Sequence, residues 1–248
     1  MFQKLARFIA HIFEFDQEPI DYIPATIVVA MDDETYGIGF EGSIPWKVPN
    51  DMKFFKETTM TLEKDDPYNM SNILICGKNT YVSLGSKNLK HRHMIVISSE
   101  LFEYHKNRVT TSKETDIGYQ INDIVVTPSV GDTTITVFIK KPEDCIMAKR
   151  IIDVETRIKH KHVFVVGGSK IYDYFINKPF SNNDINVDKV IITRLRFTSE
   201  STIKQRFGNR FDTFFPFNLV TNKFKYEGSN HKIIGDGHFV EKFSRKFR

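Results

Sequence analysis

Two cysteines in 248 residues, Cys76 and Cys145, are too few for a disulfide framework, and their scarcity suits a reducing compartment such as the cytoplasm. No run approaches the roughly 18 consecutive apolar residues of a membrane span, so a membrane protein is not expected. Charge of one sign is also missing: 35 Lys and Arg stand against 31 Asp and Glu, a net charge of +4 spread along the chain apart from clusters at 157–162 and 242–248. A surplus this mild can attract an anionic ligand, but it is not the dense basic stripe of a nucleic-acid binder. Internal repeats and low-complexity tracts are absent, no shift of composition marks a second domain, and no metal site is expected.

What is present suits one soluble α/β domain: 40% hydrophobic and 27% charged residues, in a chain long enough to bury one large core. Apolar, β-branched runs at 25–31 (ATIVVAM), 72–76, 93–97, 163–166 and 191–195 have strand length. They lead into helical patterns or polar turns, the order of parallel strands joined by crossovers. Segments 223–226 and 238–243 alternate and predict an antiparallel pair at the sheet edge. IVVTP and TTITVFI flank Ser129-Val130-Gly131-Asp132 and predict a β-hairpin. The expected fold is therefore a mostly parallel twisted sheet of about eight strands with a C-terminal antiparallel edge, flanked by helices.

Residues 1–24 read as a separate arm, with Phe2, Leu5, Phe8, Ile9, Ile12 and Phe13 on one helical face and Lys4, Arg7 and His11 on the other. Such a helix can dock on its own or a partner domain. It can also be an organelle-targeting helix, a reading that Glu14, Asp16 and Glu18 weaken because transit peptides avoid acids.

Three constellations carry chemistry. The first strand feeds a loop with glycines at 37, 39 and 42, prolines at 45 and 49, and the chain's sole tryptophan, Trp46, so that helix starts only at Pro49. In that helix Asp51 shares a face with Phe54 and Phe55. An acid there can simply favour the helix dipole. Its place just past the end of the first strand, where open α/β sheets bind ligands, makes it a candidate site carboxylate as well. The second constellation, VFVVGGSKIY at 163–172, is a strand, two glycines and a helix start. It can be a plain tight turn, or a place where backbone approaches a pyrophosphate. The third, Gly77-Lys78-Asn79-Thr80, puts a cation beside another strand end, and alone it is also compatible with a capping glycine and a surface lysine.

In this order and spacing the segments resemble the dihydrofolate reductase family. The matching stretches are ATIVVAM, GIGFEGSIPWKVPNDMKFF, NILICGKNTYVSL, RHMIVISS, VFVVGGSKIYDYF, IITRL and DTFFP, spanning roughly 25–216, with a weaker echo at HFVEKF. The family domain then runs over 25–248, with insertions near 101–132 and 198–211. The resemblance implies reduction of 7,8-dihydrofolate to tetrahydrofolate with NADPH as cofactor, in support of thymidylate synthesis and one-carbon metabolism. It also implies dihydrofolate and antifolates as ligands, and a thymidylate synthase domain or partner.

By the same resemblance, Asp51 grips the pteridine, Thr193 supports it through a hydroxyl and a water, and Trp46 belongs to the loop that closes over the site. Ala30, Met31, Ile44, Met52, Phe55, Ser83, Leu84, Leu89, Val166 and Tyr172 are implied substrate contacts, and Arg92 forks onto the glutamate α-carboxylate. Ala30, Ile38, Gly77, Lys78, Asn79, Thr80, Ser98, Ser99, Gly167, Gly168, Ser169, Lys170 and Ile171 are implied cofactor contacts, with Lys78 and Ser98 at the 2′-phosphate. A cis peptide at Gly167-Gly168 is implied too. Burial against Phe55, Met52 and Ile44 is expected to raise the pKa of Asp51, because desolvation disfavours the charged form.

The chain departs from the family pattern in three places. KNLKHR leads up to and ends in Arg92 where many relatives carry proline and glycine, Ser99 stands where some place a second cation, and 198–211 holds extra residues. Two other functions fit parts of the pattern: a pyrimidine reductase of riboflavin synthesis, and a non-catalytic scaffold using the hairpin and basic tail. Asp51 after Trp46, together with Arg92, favours folate.

Overall fold

A computed structural model describes residues 22–60, 72–86, 89–111, 118–128, 134–158, 160, 162–197, 211–235 and 237–246. The expected arm up to residue 21, the hairpin turn at 129–133 and the extra residues at 198–210 lie outside the described residues. The chain runs through β1 (Ile23–Asp32), β2 (Gly37–Gly39), α1 (Pro49–Met60), β3 (Asn72–Gly77), α2 (Lys78–Ser83), β4 (Arg92–Ile97) and α3 (Ser99–Thr111). It continues with β5 (Tyr119–Ile121), β6 (Ile124–Pro128), β7 (Ile135–Ile139), a 3-10 turn at Pro142–Asp144, α4 (Cys145–Thr156), β8 (Val163–Gly167) and α5 (Ser169–Asn177). It closes with β9 (Ile185–Leu195), β10 (Thr213–Phe214), α6 (Phe217–Lys223), β11 (Phe224–Gly235) and β12 (His238–Arg245).

Among the described residues ten strands form one sheet in the order β11-β12-β9-β1-β8-β3-β4-β7-β6-β5. The six central strands, β9 to β7, pair in parallel, and each edge ends in antiparallel pairing. The expected C-terminal edge is β11 and β12. The sheet exceeds the expected eight strands because the insertion adds β5 and β6 at the opposite edge. The expected hairpin of 124–139 forms, but its second strand, β7, also pairs in parallel with β4 and so belongs to the central sheet. β9 starts at Ile185, ahead of the expected 191, since Asp188 interrupts the apolar run. The β1 to β9 register shifts there, matching Ala25 with Val187 and Thr26 with Lys189, so the acid is left out as a bulge.

The central strands read as unbroken apolar runs because both faces are covered. Ile27, Ile75, Ile95, Val137 and Val165 face α4 and α5, whose Ile151, Ile152, Phe175 and Ile176 complete one buried cluster. Val28, Leu74, Met94, Val96 and Val166 face the other way, against Tyr81 of α2 and Phe102 of α3, with the half-buried Phe55 of α1 at the margin. Phe102 is fully buried, and truncating such a side chain to alanine costs about 3–5 kcal/mol. Among the described residues no helix is long and apolar enough to cross a membrane. Cys76 and Cys145 are free and buried.

Candidate functional site

α1 packs against β11 and β3, and its last turn meets the N-terminal ends of β3 and β4 through Asn72 and Arg92. Pro49 is its first residue, where a missing N–H costs nothing, and the Asn50 side chain donates to Ile234 O at 2.8 Å, fixing the helix start to β11. Asp51 follows in the first turn and hydrogen-bonds the Thr193 side chain of β9. Burial pushes the Asp51 carboxyl above its usual range, and the Thr193 hydroxyl partly opposes that shift. The expected direction holds, but not all of the expected cause: Met52 and Ile44 are 61% and 54% exposed. Helical spacing rotates Met52 about 100° from Asp51, away from the sheet, so Phe55, on the Asp51 face, is the one of the three that stays half-buried.

Around this carboxylate Ala30 stands in register with Thr193. Val166 is nearly fully buried in the cluster that Phe55 flanks, whereas the expected substrate contact Met31 is fully buried in the opposite cluster, with α4 and α5, because successive strand residues alternate faces. Tyr172, at the start of α5, donates its hydroxyl to Val28 O at 3.0 Å. Its phenol is pushed far upward by burial, with the charges at Cys76 and Asp51 adding to the shift. Burial likewise raises the Cys76 thiol to about 12, which keeps it protonated and inert.

The far end of α1 carries the second charged element. Arg92 is 5% exposed at the first position of β4, and its Nη1 donates to Thr59 Oγ1 at 3.0 Å while Nε reaches Lys90 O at 3.3 Å. Thr59 in turn donates to Phe55 O at 2.8 Å, and Asn72 Nδ2 donates to Thr59 O at 2.8 Å. No acid among the described residues pairs with Arg92, and burial lowers its pKa from the ordinary value. Leu84 and Leu89 are half-buried against the same cluster as Phe55, whereas Ser83 is exposed and donates to Thr80 O.

The loop between β1 and α1 is tied down at several points. Asp32, at the end of β1, accepts from Thr35 N at 2.7 Å and Thr35 Oγ1 at 2.6 Å. β2 pairs with β10, and Asp212 accepts the Glu41 amide at 2.6 Å. Ile38 packs half-buried on the core. Gly37 admits the Phe211 ring, since a Cβ there would stand 2.1 Å from Phe211 Cγ. The half-buried Trp46 ring sits 5.8 Å from that of Phe197 and 6.0 Å from that of Phe211. Asp212, Phe197 and Phe211 were not expected from the sequence, because nothing in their local pattern announces a partner more than 150 residues away.

β3 and β8 are neighbours, and both end in glycine. A Cβ on Gly77 would meet Ile171 Cγ1 at 3.3 Å. Gly167 has φ +121, and a Cβ there would lie 3.1 Å from both Thr80 Oγ1 and Tyr172 Oη. The Gly167-Gly168 peptide is cis. Bare backbone therefore lines the strand ends, with Thr80, Ile171 and the first turn of α5 around it, which fits the pyrophosphate half of a dinucleotide. Ser169 is committed elsewhere, donating to Phe214 O at 2.6 Å, and Asn79 and Lys170 are exposed. Next along the sheet, Ser98 Oγ accepts Leu101 N at 3.2 Å and so caps α3, while Ser99 is exposed. Lys78 Nζ lies 2.5 Å from Glu100 Oε2, a pairing that sequence reading missed. Among the described residues no group of His, Cys, Asp and Glu could hold a metal ion.

A family model for dihydrofolate reductase matches residues 25–233. A dihydrofolate reductase of Enterococcus faecium is 39% identical over 71 residues, covering 28% of this chain and 36% of that protein. One from Candida albicans is 24% identical over 212 residues, covering 85% of each chain. Among solved structures, dihydrofolate reductase from Enterococcus faecalis complexed with NADP(H) and RAB-propyl superposes with a TM-score of 0.51 at 20% identity. It spans 93% of this chain and 100% of that one, which supports the same fold.

Proposed function

The chain belongs to the dihydrofolate reductase family, and from that membership and the site's geometry we propose that it reduces 7,8-dihydrofolate to tetrahydrofolate with NADPH, using Asp51 to hold the pteridine and Arg92 to hold the glutamate tail. The observation that carries this assignment of residues is the disposition of charge along α1. Asp51 opens the helix and Thr59, the Arg92 partner, lies eight residues on, about 12 Å of helical rise. Phe55 lies between them on the helix, and Leu84 and Leu89 pack half-buried on the same apolar cluster as Phe55. A ligand matched to this groove has a hydrogen-bonding heterocycle at one end, an apolar middle and a carboxylate at the other. Antifolates of that shape bind in the same way.

When bound, NADPH supplies the hydride that the pteridine C6 receives. Gly77, Thr80, Gly167, Gly168 and Ile171 would hold its pyrophosphate side, and Ala30 and Ile38 its nicotinamide side. The Asp51 carboxylate accepts from the 2-amino group and N3 of the pteridine, and Thr193 donates to the same carboxylate and fixes its orientation. Because burial has raised its pKa, this fixed negative charge can also favour a proton arriving at N5 through water. Trp46 and the loop held by Asp212 exclude bulk water. Arg92 offers a planar fork to the glutamate carboxylate, a geometry lysine could not provide.

Two free, buried thiols fit the cytoplasm as the setting of this reaction. A thymidylate synthase, as a further domain or a partner, would return dihydrofolate to the site. The test is loss of reduced-nicotinamide absorbance when dihydrofolate is added to protein and NADPH. The reading predicts oxidation that depends on both ligands and is stopped by a diaminopteridine; oxidation without dihydrofolate, or none with it, contradicts it.

A further inference from the structure

Beside the strand ends proposed to hold the dinucleotide, lysines and acids form ion pairs. Gly77 and Ile97 are in register at the ends of β3 and β4, which places Lys78 and Ser98 next to each other. Lys78 Nζ is 2.5 Å from Glu100 Oε2. One turn along α3, Glu103 takes Lys140 at 2.8 Å and Lys106 at 3.9 Å, while Asp123 of the inserted hairpin stands 3.7 Å from Lys140. Lys140 follows β7, which abuts β4 on the far side. The acids at α3's own N-terminal turns thus neutralise the lysines of neighbouring strand ends. Ser98 is occupied in capping the same helix.

A phosphate on the adenosine ribose and the Glu100 carboxylate compete for one ammonium. A carboxylate at such a position repels a phosphate, whereas a free ribose hydroxyl carries no charge to repel. We propose that Glu100 is a specificity-determining residue: by holding Lys78 it weakens the hold on a 2′-phosphate, so the chain distinguishes NADPH from NADH less sharply than Lys78 alone would allow. The proposal rests on the reductase reading and adds to it a residue that faces the cofactor's distinguishing group. The Lys78 and Glu100 side chains are 40% and 70% exposed, so their mutual attraction is weak and a phosphate can displace the carboxylate at small cost. What remains after displacement is repulsion between two negative groups at the same lysine.

Calorimetric titration of the protein with NADPH and with NADH, without folate, tests this directly in wild type, Glu100→Gln and Glu100→Lys. Circular dichroism confirms that the variants fold. Glu100→Gln should lower the Kd for NADPH about twofold to fivefold and leave that for NADH nearly unchanged, and Glu100→Lys should widen the ratio further. An unmoved ratio, or equal shifts for both dinucleotides, overturns the proposal while the reductase reading stands. If neither dinucleotide binds wild type, that reading fails and takes the proposal with it.

Discussion

Asp51 of α1 and Thr193 of β9 are joined by a side-chain hydrogen bond across 142 positions of sequence, at the point where Thr193 is in register with Ala30 of β1. One strand end thus fixes the orientation of this acid. The pH dependence follows from the sign of the shift. The folded-state pKa of Asp51 lies above its unfolded value, so its contribution to stability is fully present below the ordinary carboxylate range and is lost as pH rises through the raised value. Wherever the carboxylate is ionised it therefore costs stability. Asp51→Asn should melt higher than wild type at neutral pH, with the difference fading in acid, while turnover falls by about 100-fold or more and NADPH binding holds. Thermal melts across pH, paired with steady-state rates, check both halves.

Arg92→Leu removes a buried guanidinium whose described partners are Thr59 Oγ1 and Lys90 O. Affinity for dihydrofolate and for antifolates bearing a glutamate should fall about 10- to 100-fold, the scale of a lost charge-assisted hydrogen bond. A small diaminopyrimidine without a carboxylate should bind as before. Equal losses for both ligands, or a larger loss for NADPH, would show that the groove runs in another direction.

Gly167→Ala introduces a side chain at φ +121 and within 3.1 Å of Thr80 Oγ1 and Tyr172 Oη. We expect about 1–3 kcal/mol of destabilisation from the backbone alone, and weaker NADPH binding because Thr80 and Tyr172 must give way. Denaturant melts with and without NADPH separate the two effects: the stabilisation conferred by the dinucleotide should shrink in the variant.

Asp212→Ala releases the Glu41 amide and with it the tether between the Trp46 loop and β10. The Asp212 carboxyl is held below its usual range chiefly by that amide. The variant should bind folate nearly normally but reduce it more slowly, since water is excluded less well. Single-turnover measurements read the two steps apart.

Much of this arrangement was legible before the fold was known, because the signals were local. A β-branched run identifies a central strand, two glycines after such a run mark a strand end, and an acid after Trp-Lys-Val-Pro-Asn sits in the first turn of a helix. The parts that were not legible depend on distant pairing. Glu100 carries no mark of its bond to Lys78, and Asp212 none of its bond to Glu41, since both are exposed acids in ordinary surface contexts. Met52 shows the limit of spacing arguments: it belongs to the right helix, but its direction places it in solvent. The early start of β9 was hidden by Asp188, because a bulged acid inside a strand looks like a turn until the partner strand is known.

The protonation state of a bound 2,4-diaminopteridine tests the role of Asp51 most directly. Its ultraviolet spectrum on the protein, followed across pH, reports whether the ring carries the proton that pairs with a carboxylate. The account predicts the protonated spectrum on wild type well above the pKa of the free compound, and the neutral spectrum on Asp51→Asn. A neutral spectrum on wild type at neutral pH would mean that Asp51 does not face the heterocycle.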